Sequence, residues 1–116
     1  MKKVGTLKKI GQPMAPRTVW MAGTFFERAL GLLSKKGLAE TDVLWIVPCA
    51  GIHTCFIRFT IDVLFLNKDN AVLKVASEVV PWRFVFAPRG THSVIELSAG
   101  NALRSGIAVG DSLRIE

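Results

Sequence analysis

A succession of short apolar runs after residue 40 constrains the fold of this chain more than any other feature. The runs have the length of strands and end at proline, glycine or asparagine, residues that interrupt regular structure. One of them, Val63-Leu64-Phe65-Leu66, is apolar on both faces and predicts a central strand. The predicted strands are Val43–Val47, Asp62–Asn67, Ala71–Val80, Arg83–Ala87, His92–Leu97 and Ser112–Ile115. Their spacing predicts a mainly β fold, a small antiparallel sandwich or barrel.

A helical pattern is expected near residues 25–35. Thr24 and Glu27 form a capping box, and apolar residues recur at helical spacing until Gly37 ends the pattern. We therefore predict one short helix there. A single helical turn is also expected at Asn101–Ser105. The segments Val4–Ile10 and Thr18–Ala22 are candidate edge strands.

Length and charge narrow the class of protein. The chain of 116 residues predicts a single domain over residues 1–116. Residues 1–40 hold the whole net charge of +6, so residues 1–15 are interpreted as a mobile basic arm or an edge strand. A nucleic-acid partner is not favoured, because no recognition motif accompanies the lysines. With no apolar run of about 20 residues, we expect no membrane span, a cytoplasmic location and reduced thiols.

Residues 48–62 place polar chemistry in an otherwise apolar stretch. Both cysteines, Cys49 and Cys55, lie there with His53, Arg58 and Asp62. Buried polar groups need partners, and buried charges need strong ones. The sequence therefore predicts the functional site in this segment.

Several separate motifs resemble one family, known as Domain of Unknown Function 192. They occur in the family's order and cover most of the chain from about residue 25. The matching motifs are Arg28…Gly31-Leu32, Cys49…Ile52-His53-Thr54, Phe56–Leu66, Pro81-Trp82-Arg83, Glu96-Leu97, Gly106-Ile107 and Gly110-Asp111. The resemblance implies a mainly β single domain and no established activity. Departures from the family pattern are Cys55, Ile57, Thr60 and Asn70, where members usually have phenylalanine, methionine, proline and glycine.

A zinc-binding domain is one alternative reading of the segment. Cys49, His53 and Cys55 have suitable ligand types, with His92 or Asp62 as a fourth ligand. In one regular strand over residues 53–62, His53 and Cys55 would share a face about 7 Å apart. Cysteines that simply pack as small apolar side chains are the favoured interpretation, so no cofactor is expected.

A catalytic reading is a second alternative, and the sequence leaves enzymatic activity open. Cys49 would act as nucleophile with His53 as base, or His53 and Asp62 would form an acid/base pair. The chain would then be a hydrolase- or transferase-like enzyme.

The leading hypothesis is a binding domain. Arginine side chains can hold a carboxylate or phosphate through two parallel hydrogen bonds, and Trp82 would supply an apolar wall. We expect a small anionic ligand or a protein partner in a polar pocket. Glu96 is interpreted as the interior partner of an arginine. The predicted ligand-binding residues are His53, Thr54, Arg58, Asp62 and Arg83.

Overall fold

Strands dominate the computed structural model, which describes residues 2–21, 38–47, 51–53 (backbone only) and 59–116. These residues contain one helix, α1, of a single turn at Asn101–Arg104. The strands of the described residues are β1 (Lys2–Lys9), β2 (Arg17–Met21), β3 (Asp42–Ile46), β4 (Gly51–His53), β5 (Ile61–Leu66), β6 (Val72–Val79), β7 (Phe84–Phe86), β8 (Ser93–Ser98) and β9 (Leu113–Ile115).

Seven of these strands form one sheet, in the order β6-β5-β8-β3-β2-β1-β9. Neighbours pair in antiparallel fashion except β2 and β3, which are parallel. A parallel pair needs a long crossover connection, and residues 22–41 supply that length. The remaining strands, β4 and β7, form a separate two-stranded antiparallel sheet.

The large sheet curls until its two ends meet. Ala71, just before β6, forms a bridge with Ser112, just before β9. Two backbone bonds extend the contact, from Val72 N to Asp111 O at 2.8 Å and from Leu113 N to Asn70 O at 3.0 Å. The result is a half-barrel, which confirms the predicted mainly β class of small sandwich or barrel.

Buried apolar side chains form two clusters, one on each face of the curled sheet. The inner cluster receives side chains from all seven strands, which can meet only inside the curl; it comprises Leu7, Val19, Val43, Leu64, Leu66, Val72, Ile95, Leu97, Ala102, Ile107 and Leu113. The outer cluster comprises Leu44, Ile61, Val63, Phe65 and Val94. Strand β5 supplies both clusters in alternation and is buried at all six positions, as predicted for a central strand.

The basic N-terminal segment forms part of the large sheet. Residues 2–9 are neither a free arm nor an edge strand, because β1 lies between β2 and β9. The lysines lie in pairs at the two ends of β1, and fully buried Leu7 between them helps to hold the segment in the sheet. Two helical segments were predicted. The one near residues 25–35 lies outside the described residues. The helical turn predicted at 101–105 is present as α1.

Candidate functional site

Strand β7 carries aromatic side chains on its solvent side. Val85 packs against the outer cluster, whereas its neighbours Phe84 and Phe86 are 51% and 76% exposed. Their rings contact each other edge to face, with centroids 4.6 Å apart and an interplanar angle of 72°. Alternation along a strand explains this split, since successive side chains point to opposite faces. Val85 thus anchors β7 to the outer cluster, and Phe84 and Phe86 are exposed to solvent.

Trp82, two residues before β7, is a third exposed aromatic residue of this segment. Its side chain is 73% exposed and its backbone has a φ of 66°. The left-handed conformation costs about 1–2 kcal/mol for a residue with a Cβ atom. Core packing therefore does not account for a tryptophan at this position. We call the surface formed by Trp82, Phe84 and Phe86 the aromatic face; at the usual size of these side chains it exposes roughly 400 Å².

Positive charge borders the aromatic face. Arg83 and Arg89 are both exposed, and residues 79–92 contain no aspartate or glutamate. From beneath, Lys74 Nζ donates to the Phe86 carbonyl oxygen at 3.2 Å and lies 5.5 Å from the centre of the Phe65 ring. This lysine fixes β7 against the large sheet. The segment that carries the aromatic face thus combines exposed aromatic and basic residues and has no acidic residue from 79 to 92.

The structure brings two predicted site residues into the same small sheet. His53 is the last residue of β4 and lies opposite Phe84 in the β4–β7 register. Arg83 directly precedes Phe84, so the backbones of the two predicted residues are neighbours. The chain does not continue as one regular strand over 53–62, because it bends at Phe59 before β5 begins at Ile61. The distance predicted between His53 and Cys55 lies outside the described residues and stays a prediction.

Asp62 is fully buried and is surrounded by backbone donors. Its Oδ1 accepts from the N–H groups of Glu78 at 2.8 Å and Gly100 at 3.1 Å, and its Oδ2 accepts from that of Ala102 at 2.9 Å. The carboxylate thus caps the start of α1 and holds the irregular end of β6, where Glu78 has a φ of 52°. Both oxygens serve the fold. A role in ligand binding or acid/base chemistry stays a prediction.

The other predicted residues are placed as follows. His92 is exposed, and its N–H donates to the Leu66 carbonyl oxygen at 2.8 Å. Leu66 is four residues along β5 from Asp62, so the two candidate fourth ligands are separated by about 13 Å of strand. The side chain of His53 lies outside the described part of the structure, as do Cys49, Thr54, Cys55 and Arg58. In the described residues, no three side chains form a group that could hold a metal ion.

Glu96 is a second fully buried carboxylate. It lies in the middle of β8, between Leu44 of β3 and Val63 of β5 in the sheet register. Both neighbours belong to the outer cluster, the cluster that β7 covers. The predicted pairing of Glu96 with an arginine stays a prediction.

A polar network around α1 was not anticipated. Arg17, only 6% exposed, donates from Nε and Nη2 to Asn101 Oδ1, both at 3.2 Å, and from Nη2 to Ser105 Oγ at 3.1 Å. The amide of Asn101 in turn donates to the Glu40 carbonyl oxygen at 3.0 Å. In the sequence, Arg17 is only one of the basic residues that give residues 1–40 their positive charge. Its side-chain partners Asn101 and Ser105 lie more than eighty positions away, and no local pattern indicates them.

Glu40 closes this network at the surface. Arg104 donates to its two carboxylate oxygens at 2.9 and 2.7 Å. This hydrogen bonding is the main reason why the pKa of Glu40 lies below its usual value, with burial opposing and Ser98 adding to the effect. The same bonds raise the pKa of Arg104. The group stabilises the α1 corner and offers no free acid or base.

None of the described helices is long and apolar enough to cross a membrane.

Comparison with known proteins identifies the family of this chain. A family described as Uncharacterized ACR, DUF192, matches residues 6–115. A UPF0127 protein of Pyrococcus furiosus is 31% identical over 100 residues, covering 82% of this chain and 84% of its own.

Two solved structures share the fold. One is a protein of unknown function from Novosphingobium aromaticivorans, with a TM-score of 0.81 and 24% identity over 94% of this chain and 83% of its own. The other, from Sinorhizobium meliloti, is described as a candidate transcription regulator; its TM-score is 0.80, with 21% identity over 95% of this chain and 90% of its own. The family match spans nearly the whole sequence, and the chain belongs to the uncharacterised DUF192 family.

Proposed function

We propose that this protein is a binding domain whose recognition surface is the aromatic face, and that it binds a protein partner. The observation that carries the proposal is the exposure of three aromatic side chains within five residues, Trp82 in the turn before β7 and Phe84 and Phe86 on β7 itself. An apolar patch of roughly 400 Å² is in the range of the largest patch on a typical monomer, and such patches are often functional. The aromatic face is therefore the natural candidate for a site.

The free energy gained by burying the aromatic face favours binding of a partner there. Burying roughly 400 Å² of apolar area is worth about 10 kcal/mol before the costs of association. Trp is among the residue types that dominate measured binding energies, and aromatic residues are enriched at interfaces. The folded chain anchors β7 through Val85 and Lys74, and the three aromatic side chains stay more than half exposed.

The shape of the surface favours a protein over a small ligand. Small molecules bind in concave sites that enclose most of their surface, whereas β7 displays its rings on the outer side of a two-stranded sheet. A small anion held by His53, Thr54, Arg58 and Arg83 is the weaker form of the binding hypothesis. No specific observation favours the zinc or catalytic alternatives, whose cysteines lie outside the described residues.

The test is selection from a displayed library of random peptides. We expect the wild-type chain to enrich one convergent group of sequences, and the double variant Trp82→Ala, Phe86→Ala to lose their binding by at least about tenfold. The matched control is Leu103→Ala, Val109→Ala, which removes two exposed apolar side chains elsewhere and should bind as wild type. Circular dichroism and urea unfolding establish that each variant is folded. Enriched peptides that bind the aromatic double variant unchanged would contradict the proposal.

A further inference from the structure

We infer that the inner side of the half-barrel holds a second binding site, which takes a small apolar molecule with one neutral carbonyl oxygen. The inference goes beyond the proposed function, because the site lies inside the curled sheet and not on the aromatic face. Two buried polar atoms carry it. Trp45 Nε1 and the Oγ of fully buried Ser93 have no hydrogen-bond partner within the described part of the chain.

The strand register makes Trp45 and Ser93 neighbours on the inner face. Trp45 of β3 pairs with Ile95 of β8, and Ser93 is two residues before Ile95, so the two side chains are diagonal neighbours on the same face of the sheet. Trp45 packs against the inner cluster, and Ser93 lies opposite Leu66 of that cluster. At a diagonal spacing of about 7–8 Å between the two residues, one small group lies within reach of both side chains.

The pair lies at the end of the half-barrel away from α1. Ser93 is the first residue of β8 and Met21 is the last residue of β2. The helix α1 follows the end of β8, and its Asn101 binds Arg17 at the start of β2. At the end away from α1, Trp45 and Met21 are only half-buried, so the apolar interior reaches solvent there. We call this end the mouth; the mouths of β-barrels are common places for small-molecule sites.

The two polar atoms call for a hydrogen-bond acceptor. The indole N–H of Trp45 can only donate, and the hydroxyl of Ser93 can donate as well. A buried donor without a partner is costly, and a bound acceptor removes that cost. A buried water molecule usually makes about three hydrogen bonds and has two protons of its own to place. A carbonyl oxygen accepts two bonds and donates none, so it fits this pair better.

Apolar neighbours favour a neutral oxygen over a carboxylate. In the sheet, Trp45 is flanked by Met21 and Ile95, and Ser93 lies opposite Leu66. A carboxylate at this position would lose its water and gain only apolar side chains as sheet neighbours, which is costly for a charge. The same side chains suit the hydrocarbon part of a neutral molecule.

Matched ring compounds test the inference directly. Cyclohexanone, cyclohexanecarboxylate and cyclohexane share one ring and carry a neutral oxygen, a charged group or no oxygen. Binding is followed by nitrogen–proton NMR of the indole groups of the three tryptophans, with the signal of Trp45 assigned by its loss in Trp45→Phe. We expect cyclohexanone to move the Trp45 signal downfield to saturation, and to bind at least about fivefold more tightly than the other two compounds.

Two conservative variants each remove one donor. Trp45→Phe and Ser93→Ala should each weaken cyclohexanone binding at least about fivefold, as followed by the backbone N–H signal of Ile95. Ser93→Ala should not lower the Tm, because the hydroxyl that it removes has no partner in the described chain. Trp20→Phe is the matched control, since the indole of Trp20 donates to Asp42 Oδ1 at 3.1 Å; it should bind cyclohexanone as wild type.

Four outcomes would overturn the inference. A Trp45 signal that cyclohexanone leaves unchanged would mean that water alone satisfies the two donors. A shift of all three indole signals alike, without saturation, would be an effect of the solvent. Full affinity in both Trp45→Phe and Ser93→Ala would remove the assigned contacts, and tighter binding of cyclohexanecarboxylate would refute the neutral oxygen.

The same measurement separates this inference from the proposed function. The double variant Trp82→Ala, Phe86→Ala should bind cyclohexanone as wild type, because β7 covers the outer cluster whereas Trp45 packs against the inner one. Loss of cyclohexanone binding in this double variant would place the compound on the aromatic face and refute the site in the mouth.

Discussion

Asp62 shows at the scale of one residue how a carboxylate can be buried in this fold. Burial removes the water that stabilises its charge, and the three backbone N–H groups of Glu78, Gly100 and Ala102 take the place of that water. Each oxygen accepts at least one of these bonds. An aspartate is thus required where a shorter or uncharged side chain would leave backbone donors unsatisfied.

We predict that Asp62→Asn lowers the free energy of unfolding by about 1–3 kcal/mol, because an amide nitrogen cannot accept the bond that one of the oxygens now accepts. Urea unfolding followed by circular dichroism measures the change. Asp69→Asn makes the same replacement at an exposed turn residue and should stay within about 0.5 kcal/mol of wild type. Equal effects of the two substitutions would refute the capping role of Asp62.

The sequence could indicate that Asp62 is buried but not what surrounds it. The apolar residues around Asp62 are enough to predict that it is buried. From the sequence alone, it was interpreted as a functional residue. Its donors come from positions 16, 38 and 40 residues further along the chain. Such contacts depend on how the strands pair, which periodicity does not specify. Trp82 illustrates the same limit, since its 73% exposure follows from the position of its turn in the fold and is not indicated by the sequence.

At the scale of elements, α1 is a single turn that depends on its surroundings. A helix of four residues satisfies almost none of its own backbone groups and is not stable alone. Asp62 holds its first turn, Asn101 binds Arg17, and Arg104 reaches Glu40 in the loop before β3. The helix therefore forms only when the segments that carry Asp62, Arg17 and Glu40 are packed around it.

The ion pair of Glu40 and Arg104 should make the stability of this corner depend on pH. The pKa of Glu40 is lowered in the folded chain from its usual 4.5, so its contribution is complete above that value and is lost as the pH falls through the folded pKa. We expect Glu40→Gln to be less stable than wild type at pH 7, with a difference that shrinks below about pH 4.5 and is small throughout, because both side chains are more than a third exposed. Thermal unfolding between pH 7 and pH 3 measures it.

Arg104→Gln is the matched variant for this pH dependence. It removes the other partner of the pair and should lose the same pH-dependent component of stability. High salt should reduce the difference in both variants, since the pair is near the surface. A difference between Glu40→Gln and wild type that is constant from pH 7 to pH 3 would contradict the role of the charged pair.

Periodicity predicted the strands closely but not their partners. The predicted strand Asp62–Asn67 is observed at Ile61–Leu66, and Ala71–Val80 at Val72–Val79, because apolar alternation and turn residues act locally. The parallel pairing of β2 with β3 and the separate sheet of β4 with β7 were not predicted. Pairing over long separations in the chain is a property of the whole fold. Of the residues in the candidate site, Arg83 and Trp82 were named from the sequence, whereas no sequence pattern distinguished the exposed Phe84 and Phe86.

At the scale of the whole molecule, closure of the curled sheet unites the two ends of the chain. Strand β9 pairs with β1 and reaches the start of β6 through the Ala71–Ser112 bridge. Lys9 and Asp111 add an ion pair at 3.1 Å, and the pKa of Asp111 is lowered chiefly by the backbone N–H of Ala108 and further by Lys9. The inner cluster is complete only when β9 is in place.

Leu113 tests whether this closure is part of one cooperative structure. Its side chain, 3% exposed, is the contribution of β9 to the inner cluster. We predict that Leu113→Ala lowers the free energy of unfolding by about 2–5 kcal/mol, because it removes buried methyl groups and leaves a cavity. Leu103→Ala makes the same change at an exposed position of α1 and should cost less than about 0.5 kcal/mol. The urea dependence should keep its slope, since the same surface is exposed on unfolding. If amide exchange instead accelerates only in β9 while the rest of the sheet keeps its protection, β9 opens independently, and closure of the half-barrel does not determine the stability of the fold.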